Sequence, residues 1–132
     1  MGELARNAAN DDAFVSALLE LLGAAAGQVE IEKFLRAHFV YQSESFEIVR
    51  TPQFMLAELL ERGWFAGDCD CVSTFAAALL VMFGHPAKFV AIRYSHPSEF
   101  EHVFVETDSY RIDPTVPRAT VHKDLEKMTL EI

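Results

Sequence analysis

Only two cysteines, Cys69 and Cys71, occur in the 132 residues, and they stand two positions apart. On a helix that spacing turns them to different sides, so they cannot pair with each other. Two free thiols are expected, in a fold that needs no covalent staples. Basic residues are scarce as well: 11 Lys and Arg stand against 20 Asp and Glu, a formal charge of -9. Such a surface repels phosphate backbones and anionic lipids, which argues against nucleic acid as a partner. No apolar run approaches the roughly 18 residues of a membrane span, so no membrane association is expected. Nor does a basic stretch lead into an apolar run with a cleavage site. A reducing cytoplasm fits these features. Internal repeats and low-complexity linkers are also missing. What the chain has is apolar substance: at 51% hydrophobic, it suits a single domain spanning 1–132 that buries its own core.

Helical periodicity dominates the first half. Phe14, Leu18, Leu21, Leu22 and Ala25 predict a helix from Asp12 to Ala26, capped by Asn10, Asp11 or Asp12 and closed by Gly27. Ile31, Phe34, Leu35 and His38 repeat the pattern from about Glu30 to Phe39. From Val40 to Glu47 it dissolves into loop or short strand. Thr51-Pro52 is a helix start, hydroxyl cap first and proline at the first helical position, with Gly63 as the stop. A further helix begins near Asp68 and carries Val72, Phe75, Ala76, Leu79, Leu80 and Phe83, wide enough an apolar stripe to be the central buried helix; Gly84 and Pro86 end it.

Beyond Pro86 the period changes to two. Strands are expected over Phe89 to Tyr94, Glu101 to Thr107 and Tyr110 to Pro114. Helices followed by an antiparallel sheet make an α+β domain with a helix packed on one face of the sheet. The core is assigned to 50–116, with a helical part before it. From Arg118 the tail offers Val121, Leu125 and Met128 at helical spacing and is read as a short surface helix.

Three side chains bear chemistry in this frame. Cys69 falls in the first turn of the central helix, where the macrodipole stabilises a thiolate. Asp68 and Asp70 oppose this unless they face solvent or cap backbone amides. Cys69 is preferred over Cys71 because Gly67 permits close approach and Asp68 can cap the helix, whereas Cys71 beside Val72 reads as a small core residue. Alternation puts His102, Phe104 and Glu106 on one face of their strand and Val103 and Val105 on the other. With Asp108-Ser109 as a two-residue loop, Thr107 faces Tyr110, Phe104 faces Asp113, and His102 lies diagonal to Asp113 on one face. A thiol, an imidazole and a carboxylate in that order are the parts of a nucleophile, base and orienter. The Cys69 amide would serve one side of an oxyanion, with Gln42, Gln53 or Trp64 as the second donor.

Four blocks occur in order: Gly67-Asp68-Cys69-Asp70, Gly84-His85-Pro86-Ala87-Lys88-Phe89-Val90, Glu101-His102-Val103-Phe104-Val105-Glu106 and Ile112-Asp113-Pro114-Thr115. Over about residues 50 to 116 the chain resembles the transglutaminase-like superfamily, most nearly its small bacterial and phage-associated members. The resemblance implies a papain-like fold with Cys69 as nucleophile, His102 as general base and acid, and Asp113 as the orienting carboxylate. It implies amide chemistry on a protein or peptide through a thioester, resolved by water or by an amine. Where these small members carry a second Asp after Gly-Asp-Cys-Asp, this chain has Cys71. The calcium-site acidic cluster and accessory β-domains of large animal transglutaminases do not fit in 132 residues, so no metal or other cofactor is carried over.

Each of these residues also has a plainer reading. A cysteine on an apolar helix usually only packs, a strand histidine is usually structural, and Asp-Pro is usually a turn. Their co-occurrence favours chemistry. His85 and His96 read as loop residues, His38 and His122 as helix-surface residues, and Trp64 as a core anchor or a cleft wall. Two other functions compete with a cysteine hydrolase: a binding or structural module of the same fold, and a metal site on Cys69, Cys71 and histidines. The last is poorly supported, because zinc ligands from one segment usually have two to four residues between them.

Overall fold

A computed structural model describes residues 1–43, 49–93, 102–118 and 126–132. It is an α+β architecture. Among the described residues it has helices α1 (Gly2–Ala9), α2 (Asp12–Leu22), α3 (Gln28–His38), α4 (Pro52–Arg62) and α5 (Cys69–Met82). The strands are β1 (Phe39–Tyr41), β2 (Phe65–Gly67), β3 (Lys88–Arg93), β4 (His102–Glu106), β5 (Arg111–Ile112) and β6 (Glu126–Glu131). None of the described helices is long and apolar enough to cross a membrane.

Local signals set the helix ends. Asp11 caps α2 by accepting from the Ala13 and Phe14 amides, and Thr51 caps α4 by accepting from Phe54 with Pro52 behind it. Gly63 takes the left-handed conformation that closes α4, at φ 84°. At the end of α5 the Gly84 and His85 amides donate to Val81 and Leu80, the paired bonds of a Schellman motif. α2 stops at Leu22 rather than Ala26: Gly23, at φ 88°, breaks it, and Gly27 instead opens α3.

α5 is the centre of the molecule, with every residue from Cys71 to Leu80 buried. A helix apolar all round needs partners on all sides. α1, α3 and α4 supply them on one side and β4 on the other. α1 was not foreseen: its buried residues are Ala5 and Ala8, with no large apolar side chain to mark a core helix. Small side chains on α1 suit close packing against Ala76, Ala77 and Ala78 of α5, which join them in one core.

The main sheet runs β5-β4-β3-β6, all antiparallel, and β1 and β2 form a separate parallel pair. Phe89, Val103, Val105 and Ile112 join the core with α5, while Val90, Ile92 and Phe104 form a smaller buried cluster. The tail corrects the expected surface helix. Residues 126–131 are a strand, because β3 would otherwise leave an unpaired edge beside β4 and the register places Leu130 against Phe89. The sheet therefore extends past the 50–116 core. Val121, Leu125, His96 and His122 lie outside the described residues.

Candidate active site

Cys69 is the first residue of α5 and is half-buried. Asp68 precedes it with extended backbone and caps the helix, its Oδ1 accepting from the Cys71 amide at 3.1 Å. One turn on, Ser73 Oγ donates to the Val103 carbonyl at 3.2 Å. That bond joins the start of α5 to β4 beside His102.

The hairpin has the expected register. Val105 faces Ile112 and Glu106 faces Arg111, and the Thr107 amide donates to the Tyr110 carbonyl at 2.8 Å across the Asp108-Ser109 loop. Asp113 is thereby brought to His102. The imidazole Nε2 donates to Asp113 Oδ2 at 2.7 Å, with the His102 side chain 11% exposed and that of Asp113 1%. Desolvation lowers the affinity of His102 for a proton, but hydrogen bonds to Asp113 and to Cys69, with their negative charge, outweigh it and raise its pKa to about 9. Since Nε2 is bound to Asp113, Nδ1 is the nitrogen left for the sulfur. Cys69, His102 and Asp113 form one interacting set.

Sequence reasoning missed what holds Asp113 in place. Its Oδ1 accepts from Thr115 Oγ1 at 2.7 Å, and its carbonyl accepts from Arg36 Nη2 at 3.1 Å. Arg36 Nη1 also holds the Val116 carbonyl at 2.7 Å. Behind Arg36, the buried Glu32 accepts from the Tyr110 hydroxyl at 2.7 Å and pairs with Arg118 Nε at 3.5 Å. Burial, then the bond to Glu32, raises the Tyr110 hydroxyl above its ordinary pKa. The only trace in the sequence is the i, i+4 spacing of Glu32 and Arg36, which ordinarily marks a solvated pair.

No match was found to any protein-family model, curated protein or solved structure.

Cys71 is buried, and desolvation raises its thiol pKa. Gly67 is a glycine because of it: a Cβ there would lie 2.6 Å from Cys71 Cβ and 3.1 Å from its sulfur. The close approach at Gly67 serves packing against Cys71. Trp64 is 38% exposed with the Arg62 guanidinium 3.9 Å from its ring centroid, so it is a surface side chain and not a core anchor. Gln53 Nε2 donates to Asp11 Oδ2 at 3.3 Å, in a groove of about 280 Å³ between α2 and α4 that none of the three site residues lines. Gln42 differs: its backbone N–H donates to the Gly67 carbonyl at 2.8 Å, beside the segment leading into Cys69. Next to it, the exposed Tyr41 has its hydroxyl pKa raised by desolvation and then by the nearby Cys69, Asp68 and Asp70. His38 and His85 take structural roles, donating to the Gly63 carbonyl at 3.2 Å and the Ala26 carbonyl at 3.0 Å. Among the described residues no group of three His, Cys, Asp or Glu side chains is arranged to hold a metal ion.

Proposed function

We propose that this chain is a cysteine hydrolase or acyltransferase of the transglutaminase-like kind, with a papain-like core, acting on amide bonds of a protein or peptide. The observation that carries the reading is the His102 imidazole held by Asp113 at 2.7 Å through Nε2, with Cys69 among the groups close enough to raise its pKa. His102, raised to about 9, holds the proton of the Cys69 thiol before substrate reacts, and the sulfur then attacks the amide carbonyl carbon. As the C–N bond breaks, the imidazolium returns that proton to the leaving amine and a thioester remains. Water or a second amine then attacks the thioester, giving its proton to His102, and the sulfur leaves. Asp113 orients the ring and stabilises its charged form, as a buried carboxylate does for the imidazole of other triads. The Cys69 amide is one donor to the oxyanion, and the Gln42 side chain is the candidate for the second, because its backbone is bonded to Gly67.

The test is labelling with a peptide carrying a thiol-reactive electrophile, followed by intact mass and site mapping. The folded protein is expected to take one equivalent at Cys69. Cys71→Ala keeps the reaction, whereas Cys69→Ala and His102→Ala lose it. Equal, slow labelling of both cysteines would leave an inactive binding module as the better account.

A further inference from the structure

We propose that the β6 edge is a self-association surface on which a second copy of this chain pairs antiparallel through a two-fold axis at Thr129, making one continuous sheet. Among the described residues, β6 is an outer strand of the main sheet with no strand on its far side. It carries the chain's exposed pair Met128, 53% exposed, and Leu130, 61% exposed. Such an edge presents unpaired backbone donors and acceptors to any strand that fits them.

The hydrogen-bond phase of β6 decides which registers are open. The Ile132 amide donates to the Ala87 carbonyl at 3.3 Å, continuing the register in which Lys88 faces Glu131. Residue 132 therefore bonds inward to β3, and by the alternation of an antiparallel ladder so do 130 and 128. The N–H and C=O groups of Lys127, Thr129 and Glu131 point outward. A two-fold axis between identical strands then passes through one of these three, where the facing residues exchange hydrogen bonds, or through Met128 or Leu130 between them, where they do not. Through Met128 it leaves Glu131 past the end of the facing strand, and through Leu130 it leaves Lys127 so. Through Lys127 it would set two lysines face to face, and through Glu131 two glutamates, with much of each strand unpaired. Through Thr129 it pairs the whole strand and sets Lys127 opposite Glu131 of the second copy, twice.

Side chains agree with that register on both faces. On one, Lys88 pairs with Glu106 at 3.7 Å and faces Glu131 across the β3–β6 register, so Lys127 of the second copy continues an alternating row of acid and base. Lys127 reaches Glu106 of its own chain at 3.6 Å, yet its side chain stays 45% exposed and an ammonium has further donors to give. On the other face Met128 meets Leu130 of the second copy, so each exposed apolar side chain covers another. An isologous contact of this kind closes on itself and stops at a dimer.

Sedimentation equilibrium on the whole protein tests this. With rising concentration the mass is expected to move from 14.8 kDa toward twice that value. Thr129→Pro removes only an outward N–H, so circular dichroism stays unchanged while the dimer is lost. Lys127→Glu and Glu131→Lys each put like charges opposite one another and weaken self-association roughly tenfold. Mixing these two variants restores every opposite pair and returns association to the wild-type level. Three results would overturn the proposal: a monomer up to millimolar concentration, a dimer indifferent to Thr129→Pro, or a mixture of the charge variants that associates no better than either alone.

Discussion

Ser73 and Val103 are joined by a 3.2 Å hydrogen bond that ties α5, one turn past Cys69, to β4, one residue past His102. Both groups are buried, so the bond is made out of contact with water. It joins the elements that carry the sulfur and the imidazole without touching either.

Ser73→Ala leaves the buried Val103 carbonyl without its donor. A loss of about 1 to 3 kcal/mol in unfolding free energy is expected from urea denaturation. Labelling of Cys69 by iodoacetamide should slow in the native state, whereas Ser73→Thr, which keeps the hydroxyl, should retain more of both. Unchanged labelling would mean that the tether does not align the pair.

Stability should depend on pH through His102. Its folded pKa, about 9, is above the ordinary 6.5. A raised basic group stabilises the fold fully below its unfolded pKa, and the contribution is lost as pH climbs through the folded value. Between pH 6.5 and 9 the loss is expected to be on the order of 3 kcal/mol, seen as a falling melting temperature. His102→Gln should flatten that slope. Asp113→Asn removes the carboxylate charge and should lower the His102 pKa, read from the ring proton shifts in an NMR titration.

Gly67→Ala forces a methyl to 2.6 Å from Cys71 Cβ, a backbone-anchored atom of a buried helix. Overpacking of this kind costs about 1 to 3 kcal/mol. Cys71→Ala removes the sulfur and leaves the Cβ contact, so the double variant should recover little. Cys71→Gly removes that contact, and in the Gly67→Ala background it should recover more of the packing loss than Cys71→Ala does. Equal melting temperatures for Gly67→Ala and wild type would show that the strand and helix can separate freely.

Removing Thr115 tests the hold on Asp113. Thr115→Val keeps the shape and deletes the bond to Oδ1. Reaction of Cys69 with an electrophilic peptide should slow, with a fall in maximal rate rather than in apparent affinity. A change in affinity alone would place Thr115 in substrate contact instead.

The amino-acid sequence by itself determined whatever is set by neighbours along the chain. The caps at Asp11, Thr51 and Asp68, the stops at Gly63 and Gly84, and the two-residue loop that sets His102 diagonal to Asp113 all follow from local backbone and side-chain chemistry. Tertiary structure alone decided the rest, because each of those outcomes depends on a surface that another part of the chain provides. α1 has no large apolar side chain on its buried face and packs its alanines against α5, the tail becomes a strand because β3 offers an edge, and Trp64 lies exposed under Arg62. The placing of Cys69 near His102 and the grip of Arg36 on Asp113 belong to the same class: they join segments remote in sequence, and only the packed core brings those segments together.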